Sequence, residues 1–134
     1  MYKVTKQIFF CYGHRLIKYA GKCKHLHGHD AMAEIELSRP ELDERGMVVD
    51  FSDIKNMLKQ WIDDNIDHKM LLHRNDPIVP ILQEQQEPLL LMDDNPTAEN
   101  IAKLLFNKAE EFDFPVTEVR LWESPTSCAS YKIT

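Results

Sequence analysis

Alternating apolar and polar residues at both ends of the chain, on either side of two stretches with helical spacing, constrain the fold of this sequence most strongly. The alternation covers residues 4–14, 27–37, 116–123 and 128–133. Successive side chains of a strand point to opposite faces, so each segment would present one largely apolar face, and we predict a strand at each. A short apolar run at residues 47–50 is predicted as a further short strand.

The first predicted helix follows that short run. Apolar residues recur at intervals of three and four from Phe51 to Ile62, and the pattern fades near Ile66. Asp50 or Ser52 could cap its N-terminus, because both side chains can accept a hydrogen bond from a free backbone N–H. This spacing predicts an amphipathic helix with one apolar face.

A second helix is predicted over residues 98–112, where small and large apolar residues form one stripe. Pro96 and Thr97 precede it as a plausible cap, and Pro115 follows its end. The segment between the first two strands, residues 15–24, is rich in lysine and contains a glycine, which favours a loop.

Strands grouped at both ends around two helices predict an α+β fold, in which the helices cover one face of a four-stranded, mainly antiparallel sheet. The sequence contains no repeat, low-complexity tract or flexible linker, so we predict a single domain over residues 1–134. A four-stranded sheet has two open edges. Such edges pair readily with other chains, and we therefore expect oligomerisation.

The charge balance and the distribution of apolar residues exclude several classes of function. The 134 residues include 16 Lys+Arg and 22 Asp+Glu, a net charge of −6, which argues against a nucleic-acid binder. No run approaches the length of a membrane span, and the first residues lack the apolar segment of a signal peptide. Three cysteines without a C-x-x-C spacing fit a reducing compartment, so we predict a cytoplasmic protein.

Three histidines form the clearest candidate site. His27 and His29 are two residues apart on one predicted strand, so their rings project side by side, and His14 ends the neighbouring strand. Three neutral imidazoles can bind Zn²⁺ and leave its fourth position for water or substrate. An H-x-H pair alone is often an ordinary surface feature. The addition of His14 favours a catalytic zinc site.

Cys23 is the cysteine with the most reactive sequence environment. It lies between Lys22 and Lys24 and four residues before His27, so neighbouring cations would favour its thiolate, which could act as a base. The alternative is a small buried residue, although two flanking lysines make burial difficult. Cys11 and Cys128 fit burial better.

Three further features have both a functional and an ordinary interpretation. Residues 15–24 contain four basic and no acidic residues, which suits a polyanionic ligand or simply a solvated loop. Asp67 and His68 could be a general acid/base pair. Alternatively, His68 could be an ordinary residue at the C-terminal end of a helix, where the helix dipole favours histidine. Glu123 closes an otherwise apolar strand face and meets either solvent or a donor-rich ligand.

Taken together, these motifs resemble the 6-pyruvoyl-tetrahydropterin synthase / 6-carboxy-tetrahydropterin synthase family, and the resemblance spans nearly the whole chain. The motifs that carry it are His14-Arg15-Leu16, the block from Cys23 through His27 to His29, Val49-Asp50-Phe51, Asp67-His68, Pro96-Thr97-Ala98-Glu99-Asn100, and Glu123 with Tyr131. The C-x-x-x-H-x-H block with an upstream histidine is the most specific of them. The segment through Asn95 is longer than in compact members.

The resemblance implies a tunnelling (T-fold) subunit, whose sheets join into a trimeric barrel, and two stacked trimers forming a homohexamer. It also implies a role for each candidate residue. His14, His27 and His29 would bind zinc and Cys23 would be the proton-abstracting base. Asp67 and His68 would be acid/base partners, Glu123 would anchor the pterin ring, and Thr97 would line the pterin pocket across a subunit interface.

In this family the substrate is 7,8-dihydroneopterin triphosphate. We favour the branch that releases acetaldehyde and triphosphate and leaves 6-carboxy-5,6,7,8-tetrahydropterin, on the route to queuosine and other 7-deazaguanines. The alternative is the 6-pyruvoyl branch, which eliminates triphosphate without carbon loss on the route to biopterin. A non-catalytic zinc or pterin-binding protein on the same fold is a second alternative, and a structural oligomer with incidental histidines ranks last.

Overall fold

The computed structural model describes residues 1–134 and contains one six-stranded mixed sheet in the order β4-β3-β1-β2-β5-β6. The strands are β1 (Tyr2–His14), β2 (His27–Arg39), β3 (Lys69–His73), β4 (Leu89–Met92), β5 (Val116–Ser124) and β6 (Ser127–Lys132). The long hairpin of β1 and β2 lies at the centre, and its register runs from Tyr2 opposite Arg39 to His14 opposite His27.

The two sides of the central hairpin differ in strand direction. β5 pairs with β2 and β6 with β5, both antiparallel, whereas β3 pairs in parallel with β1 and β4 in parallel with β3. The predicted four-stranded sheet is therefore wrong in strand number. The four strands predicted from alternation are present, but β3 and β4 were missed because their short apolar runs lack the alternation of a half-exposed strand.

The predicted short strand at residues 47–50 is also wrong. This segment is bent and pairs with no other strand, although Val48 is buried in the core. Asp50 instead caps the helix that follows, because its carboxylate accepts a hydrogen bond from the Ser52 backbone N–H at 2.9 Å. The apolar run at residues 47–50 thus lies at the edge of the hydrophobic core.

The two predicted helical segments are present, and the structure adds one short helix between β3 and β4 that was not predicted. α1 (Phe51–Ile54), a π-helical stretch (Lys55–Lys59) and α2 (Gln60–Asn65) follow one another without a break. α3 (Val79–Glu84) is short, and α4 (Ala98–Glu111) is the longest helix. A single 3-10 turn occupies Lys22–Lys24 in the loop after β1. None of these helices has the length and apolar character that a membrane crossing requires.

One hydrophobic core lies between the sheet and the helices. It joins inward-facing strand residues such as Ile8 and Ile35 to Ile62 of α2 and Leu105 of α4, all at most 1% exposed. The opposite face of the sheet carries no helix, and Phe9 on that face is 70% exposed. Both long helical segments therefore cover one face, as predicted. The side chains of β1 that face the core continue along the strand to His14 at its end.

Candidate active site

The rings of His14, His27 and His29 meet at the end of the central hairpin. Because His14 is opposite His27 in the register and His29 is two residues further along β2, the three rings share one face. The His14 Nε2 atom lies 3.0 Å from His27 Nε2 and 3.1 Å from His29 Nε2. The proximity predicted from spacing is therefore present.

Backbone carbonyls orient two of the three rings. The Nδ1 atom of His14 lies 2.6 Å from the Pro96 carbonyl oxygen, and that of His27 lies 2.7 Å from the His25 carbonyl oxygen. A carbonyl accepts only, so both Nδ1 atoms must carry the proton, and in a neutral ring the Nε2 atom then holds a lone pair.

The resulting arrangement suits a cation. Two lone pairs facing each other at 3.0 Å repel unless something positive lies between them, and a carbonyl partner on the other ring nitrogen is the usual support of a metal-bound histidine. Ligands of a tetrahedral zinc ion at the usual bond length are about 3.3 Å apart, close to these spacings. The three histidines therefore fit a metal ion.

His14 is the most enclosed of the three, at 3% exposure. Burial lowers its pKa below the ordinary value, and the neighbouring His27 and His29 rings act in the same direction. The bond to Pro96 and the charge of Glu123 oppose this shift without reversing it. His14 is therefore neutral at physiological pH, the state in which imidazole binds a metal.

Glu123 of β5 lies beside two of the three rings, those of His14 and His29. Its Oε1 atom is 4.0 Å from His14 Nε2, and its Oε2 atom is 3.8 Å from His29 Nε2. The hydroxyl of Tyr12 donates a hydrogen bond of 3.0 Å to Oε1. Burial and the Glu123 charge raise the pKa of Tyr12, so this hydroxyl stays protonated and remains a donor. The carboxylate is thus held at the site instead of turning into solvent.

The segment from Asn95 to Asn100 connects His14 to the start of α4. The Asn95 side chain accepts a hydrogen bond from the Ile17 N–H and donates one to the Ile17 carbonyl. Thr97 caps α4, since its hydroxyl accepts from the Asn100 N–H at 3.2 Å. The contacts of Thr97 show this capping role, and its predicted place in a ligand pocket stays a prediction.

Cys23 lies in the 3-10 turn before β2. Its backbone carbonyl accepts a hydrogen bond from the N–H of Leu16, which ties this turn to the residue two positions after His14. The thiol is half-buried and free of any disulfide. Within one chain, Cys23 belongs neither to the three-histidine cluster nor to the cluster around Asp67.

Asp67 and His68 form a second cluster with Cys11. Asp67 accepts hydrogen bonds from the Cys11 N–H at 2.9 Å and from the His68 ring at 2.8 Å. Burial opposes ionisation of Asp67, but these bonds outweigh it and hold its pKa below the usual range. Cys11 is on the opposite parity of β1 from His14, so the pair does not face the three imidazoles of its own chain.

Arg15 does not act as a free cation of the basic loop. Its guanidinium forms a two-point ion pair with Asp76, whose side chain is fully buried. The hydrogen bonds from Arg15 lower the pKa of Asp76, and those to Asp76 raise the pKa of Arg15. The basic character of the loop therefore rests on Lys18, Lys22 and Lys24 alone.

We expect Asp76→Asn to destabilise the protein by about 3 kcal/mol at pH 7, because it leaves the Arg15 charge without its buried partner. Because the pKa of Asp76 is lower in the folded than in the unfolded protein, its ionisation stabilises the fold at pH values above the unfolded pKa, which is near 3.9. This contribution is lost as the pH falls through the folded pKa. The difference in the free energy of unfolding between wild type and variant, measured by urea unfolding, should therefore become smaller below about pH 4.

The exposed pair of Arg74 and Asp93 provides a matched control, since Asp93 is 84% exposed. Asp93→Asn should change stability by less than about 0.5 kcal/mol. Equal effects of the two variants, or a difference that does not depend on pH, would contradict a stabilising role for the buried pair.

The sequence did not indicate four residues of this site: Tyr12, Asn95, Pro96 with its acceptor carbonyl, and Cys11 beside Asp67. Tyr12 carried a usable signal, because it shares the parity of His14 on β1 and must lie next to it. The contacts of Asn95 and Pro96 join residues about eighty positions apart, and nothing in the local pattern indicates them.

Comparison with known proteins gives a consistent family. The family model described as 6-pyruvoyl tetrahydropterin synthase matches residues 3–134. The chain is 41% identical to the 6-carboxy-5,6,7,8-tetrahydropterin synthase of Rickettsia bellii, over 93% of this chain and 96% of that protein. It is 33% identical to the enzyme of the same name from Haemophilus influenzae, over 98% and 99% of the two chains.

Solved structures share the fold. An uncharacterized protein of Wolinella succinogenes, 26% identical, superposes with a TM-score of 0.80 over 98% of this chain and 97% of that chain. The Caenorhabditis elegans 6-pyruvoyl tetrahydropterin synthase, 24% identical, superposes with a TM-score of 0.73 over 99% and 96% of the two chains. The second likeness concerns the fold alone.

Proposed function

The chain belongs to the 6-pyruvoyl tetrahydropterin synthase family, and from that membership we propose that it is a zinc-dependent 6-carboxy-5,6,7,8-tetrahydropterin synthase, a carbon-carbon lyase. Its substrate would be 7,8-dihydroneopterin triphosphate. The observation that carries this proposal is the full-length similarity to relatives that bear this name, at 33–41% identity. The carbonyl-oriented group of three imidazoles beside a carboxylate supports it.

We propose zinc as the metal and His14, His27 and His29 as its ligands, because three neutral imidazoles are a common donor set of catalytic zinc. When bound, zinc supplies a Lewis acid that polarises substrate oxygens and acidifies the groups attached to them. The carbonyls of Pro96 and His25 keep two of the rings in the tautomer and orientation that this binding requires.

Glu123 would recognise the pterin ring. A pterin presents two parallel donors, its 2-amino group and the N3-H, and a carboxylate accepts both through its two oxygens, as it does from a guanidinium. Both oxygens of Glu123 lie within 4.0 Å of an imidazole Nε2, so a ring bound there would hold its side chain next to the metal ligands. Binding would thus position the reacting carbons.

Cys23 would remove the proton and Asp67 with His68 would complete the acid/base set. Within one chain Asp67 and His68 contact Cys11 and not Cys23, so these groups would have to come from different copies. β4 and β6 both leave an open edge, which allows sheets of neighbouring copies to join. We therefore propose a homohexamer of two stacked trimers, with Thr97 near the interface that completes the pterin pocket.

The triphosphate would lie against the lysines of the loop after β1. Lys18, Lys22 and Lys24 carry three positive charges without an acidic residue between His14 and His29. The overall reaction consumes one water and yields 6-carboxy-5,6,7,8-tetrahydropterin, acetaldehyde and triphosphate. This product would serve queuosine and 7-deazaguanine synthesis, and a cytoplasmic location remains part of the proposal.

Product analysis tests this function directly. The zinc-loaded protein is incubated with 7,8-dihydroneopterin triphosphate, acetaldehyde is trapped, and the pterins are identified by mass spectrometry. We expect 6-carboxy-5,6,7,8-tetrahydropterin and acetaldehyde in equal amounts. A 6-pyruvoyl product without acetaldehyde would assign the chain to the other branch, and a bound but unchanged substrate would indicate a binding protein.

A further inference from the structure

Tyr12 is a buried tyrosine at the base of the three-histidine site. Its side chain is 3% exposed, and its ring contacts the rings of His14 and His29 at centroid distances of 5.2 and 5.7 Å. The hydroxyl donates its hydrogen bond to Glu123 Oε1. Tyr12 therefore contacts two of the proposed metal ligands and the proposed pterin anchor at once.

The position of Glu123 relative to the imidazoles is unusual for a group that must bind substrate. Its oxygens are 3.8 and 4.0 Å from His29 Nε2 and His14 Nε2, whereas ligands of one tetrahedral zinc ion are about 3.3 Å apart. A shift of less than about 1 Å would bring the carboxylate to the ligand spacing from both of these rings.

A carboxylate in that fourth position would harm the proposed reaction in two ways. It would occupy the place that catalytic zinc sites keep open for water or substrate, and it would remove the acceptor for the pterin donors. A chain that places a carboxylate this close to two of the three imidazoles therefore needs a restraint on it. The Tyr12 hydroxyl donates the one side-chain hydrogen bond that Glu123 accepts.

We propose that Tyr12 is a positioning residue that holds Glu123 beside the metal ligands and keeps it from becoming one of them. This inference rests on the proposed function for its role in pterin binding, but the restraint on Glu123 can be measured without turnover. Tyr12 acts through Glu123 and needs no contact with substrate. The rigid β1 strand and the surrounding core fix its hydroxyl.

The test is Tyr12→Phe, which removes one hydroxyl and keeps the packed ring. Zinc release to excess EDTA should slow about tenfold, because the freed Glu123 becomes an additional ligand. In the cobalt-substituted protein the visible absorption should shift when water is replaced by carboxylate. The KM for 7,8-dihydroneopterin triphosphate should rise about tenfold, with a smaller change in kcat.

The direction of the change in zinc release distinguishes a positioning role of Tyr12 from a role in packing alone. If Tyr12 only fills space, its loss loosens the site, and zinc release becomes faster or stays unchanged with an unaltered cobalt spectrum; either result overturns the proposal. Tyr2→Phe is the matched control, because Tyr2 lies on the same strand and is 52% exposed. It should behave as wild type in all three measurements.

The double variant Tyr12→Phe/Glu123→Gln tests whether slower zinc release depends on the Glu123 carboxylate. An amide is a much poorer zinc ligand than a carboxylate, so zinc release from this variant should equal that of Glu123→Gln alone. Slow release that persists without the carboxylate would overturn the proposal. If the wild type binds zinc but turns over no dihydropterin, the proposed function fails, while slower release from Tyr12→Phe would still support the restraint.

Discussion

His27→Ala is expected to lower zinc affinity by more than about 100-fold, because loss of even an outer-shell partner of a metal ligand costs 10–100-fold. His27 is the best of the three histidines to change, since it is only partly buried and its loss leaves no large hole in the core. Turnover should fall with metal content. Zinc stoichiometry after purification and competition with a chromophoric chelator would measure the effect.

His25→Ala is the matched control for this substitution. His25 is two residues away and exposed, and it supports His27 only through its backbone carbonyl, which alanine retains. The variant should keep full zinc content and activity. A His27→Ala protein that still binds one zinc per chain with wild-type affinity would rule out the three-histidine site.

Cys23→Ala should lower turnover by about 10²- to 10⁴-fold, the usual contribution of a general base, while zinc stays bound. The thiol is proposed as a base and lies outside the ligand cluster, so metal content should not change. Steady-state rates and zinc analysis on the same preparation measure both quantities. Loss of zinc from Cys23→Ala would overturn the assignment as base.

Two further cysteine variants locate the active thiol. Cys128 is exposed on β6, and Cys128→Ala should be silent. Cys11 lies beside Asp67 and His68 in the same chain, so it is the competitor for the role given to Cys23. If Cys11→Ala removed turnover and Cys23→Ala did not, the acid/base set would be complete within one chain. That result would contradict the proposal of a site shared between copies.

The sequence predicted the parts of this fold that have a strong period. The alternation of β1, β2, β5 and β6 and the three-four spacing of the helices reflect half-buried elements, whose two faces differ. β3 and β4 lack this contrast, because both are short runs without alternation: β4 is half-buried along its whole length, and only Leu71 and Leu72 of β3 are fully buried. The run at residues 47–50 shows the reverse case, in which an apolar segment buries Val48 in the core without forming a strand.

The site was predictable where its residues are close in the chain or share a strand face. The spacing of His27 and His29 placed two rings together, and the strand end placed His14 near them. The contacts with Pro96, Asn95 and Asp76 depend on how distant segments meet, which local spacing does not encode. For the same reason, the sequence could not show that Asp67 and His68 meet Cys11.

The three imidazoles all belong to the β1–β2 hairpin, and this has a consequence for how the site forms during folding. That hairpin closes a connection of about a dozen residues, whereas β5 brings Glu123 to β2 from the other end of the chain. Short connections close faster than long ones, so we expect the three histidines to come together before Glu123 joins them. A nascent chain would therefore complete the proposed metal site earlier than the proposed acceptor of the pterin ring.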